Sequence, residues 1–134
     1  MKKIILSSLI CLFIISGCSQ INTDNPDKAF RYWTQIPLEN DQVTVYKGKY
    51  WQSSHYSLEY EAYFIMTTTK EWKEELIKLN EMQLDSTEWL CPKDVPQWFS
   101  PPGNYIQYSS KRNYYLRMWE QVEGDTIYIY DFQV

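Results

Sequence analysis

The sequence predicts an α+β fold, in which a mainly antiparallel sheet of about five strands carries one packed helix and a short N-terminal helix. Three features indicate this fold. Residues 58–67 alternate core-facing and outward-facing side chains with a period of about two. Residues 68–80 carry an apolar stripe at helical spacing behind a capping signal. The last third of the chain contains strand-like runs separated by short polar linkers, which is typical of an antiparallel meander.

A short helix is expected where the folded domain begins, at Pro26. Asn25 or Asp27 can cap its N-terminus, and Pro37 closes it. Its apolar residues recur at spacings of about three to four, so they share one face. The residues on that face are Ala29, Phe30 and Trp33.

Two strands are expected next. The first covers residues 43–51 and is bent or bulged at Gly48, because Lys47-Gly48 is a turn-compatible pair inside a strand-like run. Residues 58–67 form the clearest strand in the chain. Its core-facing residues are Leu58, Tyr60, Ala62, Phe64 and Met66. The end of this strand is apolar on both sides, which predicts a position in the middle of the sheet.

The second helix is predicted over residues 68–80. Thr68 is its expected cap, and Glu71 completes a capping box. Its apolar stripe consists of Trp72, Leu76 and Leu79, widened by Ile77. The remaining side chains are mostly charged, so we expect this helix to lie on the surface with one face packed on the sheet.

Residues 81–104 have no long hydrophobic period. The prolines that interrupt any helix or central strand there are Pro92, Pro96, Pro101 and Pro102. We therefore expect a long irregular connection that is attached to the body by its aromatic side chains, Trp89, Trp98 and Phe99. Long connections of this kind often carry function, so a site is sought here first.

Three strands are predicted in the last third, over residues 105–109, 114–121 and 126–132. Residues 110–113 and 123–125 are their hairpin linkers. The last strand has apolar or aromatic side chains on both faces, so we expect both faces of the sheet to be covered there.

The N-terminal segment is the most specific motif in the chain. Lys2 and Lys3 precede an apolar run over residues 4–15, and Ser16 and Gly17 follow it. A charged start, an apolar stretch of about a dozen residues and a small-residue cut site are typical of a secretory signal. The run is too short to remain as a membrane span. Removal of this segment is therefore expected, and an uncleaved anchor or a plain secretory signal is the alternative.

The motif Ile15-Ser16-Gly17-Cys18 resembles the lipobox of bacterial lipoproteins, with Ile15 where Leu is more usual. In that family the cysteine is diacylated on sulfur and becomes the N-terminus after cleavage. The resemblance implies that Cys18 is the lipidated residue. It divides the chain into a signal peptide at 1–17, a flexible tether at 18–25 and a single α+β domain at 26–134.

The same resemblance implies a location in the bacterial cell envelope, where the N-terminal lipid attaches the chain to a membrane. Ser19-Gln20 follows the cysteine in place of an acidic residue. In a Gram-negative cell this favours the outer membrane, facing the periplasm, over the inner membrane. The rest of the chain has the general character of the small lipoproteins of bacterial envelopes.

Composition excludes several classes of function. The formal net charge of −4 becomes about −6 once Lys2 and Lys3 are removed. An acidic chain without a Lys/Arg cluster lacks the electrostatic footprint of nucleic-acid binding, so no nucleic-acid partner is expected. Aromatic residues make up 17% of the chain, including 12 Tyr and 6 Trp. These rings can build a large core for a small chain, and some can equally form a binding face.

Catalytic and metal-binding patterns are weak. His55 and Cys91 are too few to supply a structural zinc site, and neither a Gly-rich phosphate-binding motif nor a serine nucleophile elbow occurs. Glu59 and Glu61 lie on one face of a strand and have the spacing of an acid and base pair, but any solvated strand shows the same pattern. No cofactor, no metal and no enzymatic activity are therefore expected.

Cys91 is the one cysteine left after the signal is cut and Cys18 is lipidated, so no intrachain disulfide can form. The commonest fate of a lone cysteine is that of a small buried apolar residue, which is the expectation here. A free thiol, an intermolecular bridge and a nucleophile assisted by His55 are the alternatives.

The most distinctive local sequence is Pro96-Gln97-Trp98-Phe99-Ser100-Pro101. Prolines on both sides restrict the backbone, so Trp98 and Phe99 would be presented with little entropy left to lose on binding. The predicted partner-binding residues are Trp98, Phe99, Tyr105 and Arg112, with Tyr108, Tyr114 and Tyr115 available to enlarge the face. The alternative is that Trp98 and Phe99 close the end of the sheet and anchor the connection.

The sequence thus leads to one main hypothesis, a non-enzymatic, membrane-anchored envelope lipoprotein whose domain binds another protein. An inhibitor or immunity-type role is one version of it, because an acidic domain can capture a basic partner. The alternative is a module that binds a small ligand or glycan through exposed Trp and Tyr rings. A hydrolase that uses Glu59, Glu61 or Cys91 is a third hypothesis.

Overall fold

The computed structural model describes residues 19–36, 41–54 and 59–134. The helices in these residues are α1 (Pro26–Thr34) and α2 (Lys70–Leu79). The strands are β1 (Ile21–Thr23), β2 (Val43–Gln52), β3 (Tyr60–Thr68), β4 (Met82–Leu84), β5 (Ile106–Ser110), β6 (Arg117–Glu120) and β7 (Thr126–Gln133). The predicted signal peptide, Cys18, Pro37, His55 and Leu58 lie outside the described residues.

The strands form one seven-stranded sheet in the order β1-β2-β3-β7-β6-β5-β4, and every neighbouring pair is antiparallel. The predicted α+β class, antiparallel sheet and C-terminal meander are therefore confirmed. The predicted number of strands, about five, is too low. The additional strands are short edge strands, and β1 lies in the predicted tether while β4 lies in the predicted irregular connection. Each has only three residues, too few for a hydrophobic period, and is held by pairing with β2 or β5.

β3 and β7 lie inside the sheet, as their two-sided apolar patterns predict. Ala62, Phe64 and Met66 of β3 point to one face and are completely buried. Tyr63 points to the other face and is also buried. A strand that is buried on both sides needs a layer on each face of the sheet, and the structure has both layers.

The two helices form the first layer. Phe30 and Trp33 of α1 and Trp72 and Leu76 of α2 pack with Phe64 in one core cluster. We call this side of the sheet the helix face. Residues 85–105, between β4 and β5, form the second layer and are called the aromatic segment. It covers the other side, the loop face, where the packed residues are Tyr63, Trp89, Val95, Trp98, Phe99, Tyr105, Trp119, Tyr128, Tyr130 and Phe132.

The helix caps agree with the prediction for α1 and differ for α2. Asn25, one of the two expected caps, accepts a hydrogen bond from the backbone N–H of Lys28 at 3.0 Å. The cap of α2 is Thr69, whose hydroxyl accepts from the backbone N–H of Trp72 at 3.3 Å. Thr68 cannot serve as the cap because it remains in β3, paired with Val43. The predicted cap is therefore wrong by one residue, and Glu71 does not complete a capping box because the residue three after Thr69 is Trp72.

The predicted irregularity of β2 is present at a different residue. The register with β3 shifts between Val45 and Lys47, so the bulge lies at Tyr46 and not at Gly48. Gly48 remains in the ladder opposite Phe64 and is buried beneath the start of α1. Its missing side chain leaves room for the backbone of Pro26 to approach.

We expect Gly48→Ala to lower the free energy of unfolding by about 1–3 kcal/mol, as overpacked cores do. A Cβ atom at this position would lie 3.1 Å from Pro26 Cα, which is backbone, and 3.2 Å from the ring of Phe64, which belongs to the packed core. Urea unfolding measures the change. Gly103→Ala is the matched control, because a Cβ there meets nothing within 4 Å. Equal stability of the two variants would contradict this account of Gly48.

Candidate functional site

A groove with aromatic walls lies where the start of the aromatic segment meets the turn between β5 and β6. Its cavity volume is about 380 Å³. The residues that line it are Thr87, Glu88, Trp89, Leu90, Tyr114, Tyr115, Arg117, Tyr130 and Phe132. We call it the aromatic groove, and its volume is within the range of about 300–1,000 Å³ that is typical of ligand pockets.

The floor of the aromatic groove is held by ring packing. The ring of Trp89 lies 5.1 Å from that of Trp119 and 5.3 Å from that of Tyr130, centroid to centroid. The rim, in contrast, is open to solvent: Leu90 is 86% exposed and Tyr114 is 75% exposed. A fixed floor with exposed apolar side chains around it is typical of a binding surface.

The turn over residues 111–116 positions the tyrosine rim. The hydroxyl of Ser110 accepts hydrogen bonds from the backbone N–H groups of Arg112 and Asn113, both at 3.0 Å. The side-chain oxygen of Asn113 accepts from the backbone N–H of Tyr115 at 3.1 Å. These short-range bonds fix the backbone beneath the two tyrosines, and the ring of Tyr115 packs edge-on against Phe132 at 5.3 Å.

Asn113 also connects this turn to a buried carboxylate. Asp131 is only 4% exposed. Its Oδ1 accepts from Asn113 Nδ2 at 2.6 Å, and its Oδ2 accepts from Trp33 Nε1 at 2.8 Å and from the Tyr60 hydroxyl at 2.7 Å. Burial raises the pKa of Asp131, while these donors act in the opposite direction. One side chain thus ties together α1, β3, β7 and the turn that carries the tyrosine rim.

An ion pair closes the other wall of the groove. Arg117 Nη1 donates to Asp85 Oδ2 at 2.7 Å, and both side chains are 13% exposed. Thr87 adds two hydrogen bonds to Asp85, from its hydroxyl at 2.7 Å and its backbone N–H at 2.9 Å. The Thr87 hydroxyl is the main cause that holds the pKa of Asp85 well below its usual range. The cation in the wall is therefore neutralised, and the groove offers rings, hydroxyl groups and the carboxylate of Glu88.

The four predicted binding residues lie in different places. Trp98 is half-buried and lines a separate hollow with Lys49, next to β1. Phe99 is 3% exposed and lies in the core of the loop face. Tyr105 is half-buried, with its ring 5.7 Å from that of Tyr128. Arg112 is exposed, pairs with Glu81 at 2.9 Å and lines a hollow beside the tyrosine rim.

Phe99 therefore has the position that the anchoring alternative describes, while Arg112 lines a hollow that shares Tyr114, Tyr115 and Phe132 with the aromatic groove. Tyr114 and Tyr115, which the sequence offered to enlarge a face with Arg112, line the groove, whereas Trp89, Leu90 and Phe132 line it without having been predicted to do so. Trp89 and Leu90 could have been found from the sequence, because they form an apolar pair in a stretch that contains no helix or strand period.

Two residues of the hydrolase hypothesis, Glu61 and Cys91, lie near the same two tyrosines: burial is the main cause that raises the pKa of Tyr63 and of Tyr130, and Glu61 and Cys91 both add to it. Glu61 accepts hydrogen bonds from the hydroxyls of Tyr63 at 2.6 Å and Tyr130 at 3.4 Å, so it is part of the polar edge of the loop face. Cys91 is exposed, which contradicts the expectation of a buried thiol. The reason is that the aromatic rings near Cys91 in the chain, and not its thiol, pack against the sheet.

Comparison of this chain with protein-family models, curated proteins and solved structures found no match. In the described part of the chain, no group of three or more His, Cys, Asp or Glu side chains is arranged to hold a metal ion. No helix among residues 19–36, 41–54 and 59–134 is long and apolar enough to span a bilayer.

Proposed function

We propose that this chain is a lipid-anchored protein of the bacterial cell envelope whose domain binds another protein through the aromatic groove. The lipobox-like motif that ends at Cys18 supports the anchor. The observation that carries the binding role is the exposure of Leu90 and Tyr114 around a floor of packed rings. The domain acts by binding and performs no catalysis.

The physical argument concerns what these side chains gain from a partner. Each large apolar side chain that leaves water contributes about 1.5–3 kcal/mol, and the rim of the groove has several of them in contact with solvent. Tyr and Trp are enriched among the residues that dominate binding energy at protein interfaces. The fixed turn beneath Tyr114 and Tyr115 reduces the entropy lost on binding, because the backbone is already ordered.

Tyr114→Ala is expected to weaken partner binding by about tenfold to thirtyfold, the effect of losing a central aromatic contact. The lipidated protein is used to capture proteins from its own envelope, and the captured partner is then titrated against the purified wild type and variant. Tyr46→Ala is the matched control, because Tyr46 is an exposed tyrosine on β2 that does not line the groove. Equal loss in both variants, or equal retention, would contradict a site in the groove.

A second candidate function is the binding of a small ligand or glycan, and the volume of the groove favours it as well. Exposed tyrosine faces stack on sugar rings, and Trp89 in the floor is a fluorescent reporter. Titration with cell-wall fragments would then shift the tryptophan emission of the wild type and not that of Tyr114→Ala. A partner captured with steep dependence on salt would instead support the inhibitor or immunity version of the main proposal.

A further inference from the structure

A second hollow lies between the exposed side of α1 and strand β2, with a cavity volume of about 490 Å³. Its lining residues are Lys28, Arg31, Tyr32, Gln35, Tyr50 and Gln52. Lys28, Arg31 and Tyr32 recur at helical spacing on α1, away from its buried residues Ala29 and Phe30, and Gln35 is the C-cap of the helix. We call this surface the basic hollow.

The charge of the basic hollow is opposite in sign to the formal net charge of the whole chain, which is −4. It is lined by two cations, Lys28 and Arg31, and by no carboxylate among the described residues. No ion pair involves either cation within the described part of the chain. The nearest acids in sequence are not among its lining residues: Asp24 lines the hollow that contains Trp98, and Asp27 lies in the first turn of α1, one turn before Arg31.

The hollow also lies close to the proposed anchor. Gln52, in its wall, is the register partner of Ile21 in β1. Only Ser19 and Gln20 separate Ile21 from Cys18, and an extended chain spans about 3.3–3.6 Å per residue, so Cys18 lies within about 11 Å of Ile21. A lipid on Cys18 would therefore hold this end of the domain against the membrane surface, at roughly one Debye length.

We propose that the basic hollow docks on the anionic phospholipid headgroups of the membrane that holds Cys18 and so sets the orientation of the domain. This inference rests on the proposed lipid anchor. Lys28 and Arg31 supply the charge complementarity, and exposed Tyr32 and Ile36 supply side chains of the type that enter the headgroup region. The attraction between an anionic leaflet and each such cation raises the equilibrium constant for docking of the domain about fivefold.

This orientation has a consequence for the aromatic groove. α1 covers the helix face of the sheet, whereas the floor of the groove belongs to the loop face. A domain that docks through α1 therefore leaves the groove turned away from the lipid and open to a partner. The buried Asp131 links the two sides, since it binds Trp33 of α1 and Asn113 of the rim turn.

The test uses the native lipidated protein in vesicles of phosphatidylcholine alone and in vesicles that also contain phosphatidylglycerol. The rate at which an amine-acylating reagent modifies Lys28 is followed by mass spectrometry. Lys93, exposed in the aromatic segment on the opposite face, is the internal control. We expect the anionic vesicles to slow acylation of Lys28 about fivefold and to leave Lys93 unchanged. Arg31→Gln should remove most of this protection, and Lys93→Gln should not alter it.

Several results would overturn the inference. Unchanged acylation of Lys28, or equal slowing at Lys28 and Lys93, would exclude a specific docking surface. Protection of Lys28 by inorganic phosphate in neutral vesicles, to the same extent as by anionic lipid, would indicate a site for free phosphate. An intact mass without acyl groups on Cys18 would overturn the anchor and the docking together, whereas an acylated chain with unprotected Lys28 would overturn the docking alone.

Discussion

Replacing Asp131 by alanine is expected to lower the free energy of unfolding by about 2–4 kcal/mol, because three donors lose their acceptor. Trp33 Nε1, the Tyr60 hydroxyl and Asn113 Nδ2 all bind this carboxylate at 2.6–2.8 Å. The energy regained by removing a buried charge offsets part of the loss. Urea unfolding at neutral pH measures the difference, with Asp125→Ala on the exposed β6–β7 turn as the control.

The pH dependence of this effect has a definite sign. Burial raises the pKa of Asp131 above its ordinary value of 3.8, so folding favours the protonated acid. The stabilisation that the protonated acid gives to the folded state is fully present when the pH is below the ordinary pKa. It is lost as the pH rises through the raised pKa of the folded state. Asp131→Asn cannot titrate, so the stability of the wild type relative to this variant should fall between acidic and neutral pH.

The tyrosines around Asp131 do not contribute to the pH dependence of this comparison. Tyr50, Tyr60 and Tyr130 are the titratable groups that act on it or respond to it, and each has its pKa raised above the ordinary value of 10.0, chiefly by burial. They remain neutral throughout the acidic and neutral range. A difference between wild type and Asp131→Asn that does not change with pH would show that Asp131 has the same pKa in the folded and unfolded chains.

Local patterns predicted the interior of the fold well. The period of two in β3 and β7, the helical spacing of α2 and the linkers of the meander all correspond to elements in the structure. Of the predicted stripe of α2, Trp72, Leu76 and Ile77 pack on the core, but Leu79 is 58% exposed because it lies in the last turn, beyond the sheet contact. The errors lie where tertiary contacts decide. Thr68 remains in β3 because it pairs with Val43, which moves the cap of α2 to Thr69. A three-residue edge strand such as β4 exists because β5 offers an edge, and no local pattern marks it.

The site was predicted less well, for a related reason. The sequence left two interpretations of the Pro96–Pro101 segment open, presentation of its rings to a partner and anchoring of the connection, because a sequence does not state which side of a loop faces a sheet. In the structure the rings of Trp89 and Phe99 pack on β6 and β7, and Leu90 is left in solvent. Tyr114 was predicted to begin a strand directly after the polar linker 110–113, but β6 begins only at Arg117, which leaves Tyr114 exposed in the turn.

Phe99→Ala is expected to lower the free energy of unfolding by about 3–5 kcal/mol, the usual cost of removing a fully buried phenylalanine. The ring of Phe99 lies at the centre of the loop-face cluster. Its centroid is 5.1 Å from that of Tyr63, 5.6 Å from Tyr128, 5.7 Å from Trp89 and 5.9 Å from Trp119. The cavity left by alanine would remove contacts of every one of these rings and release the aromatic segment from the sheet.

Trp98→Ala is the comparison that separates anchoring from recognition. Trp98 is half-buried, and its ring contact in the cluster is with Phe99, so we expect a smaller loss of about 1–2 kcal/mol. Urea unfolding and limited proteolysis of residues 85–105 would show the order of the two variants. If Trp98→Ala is the more stable variant and still binds the partner, the Pro96–Pro101 stretch anchors the loop and the aromatic groove is the site. Equal stability of the two variants would mean that Phe99 does not hold the aromatic segment on the sheet. Loss of partner binding in a folded Trp98→Ala variant would instead place the binding site in the Pro96–Pro101 stretch.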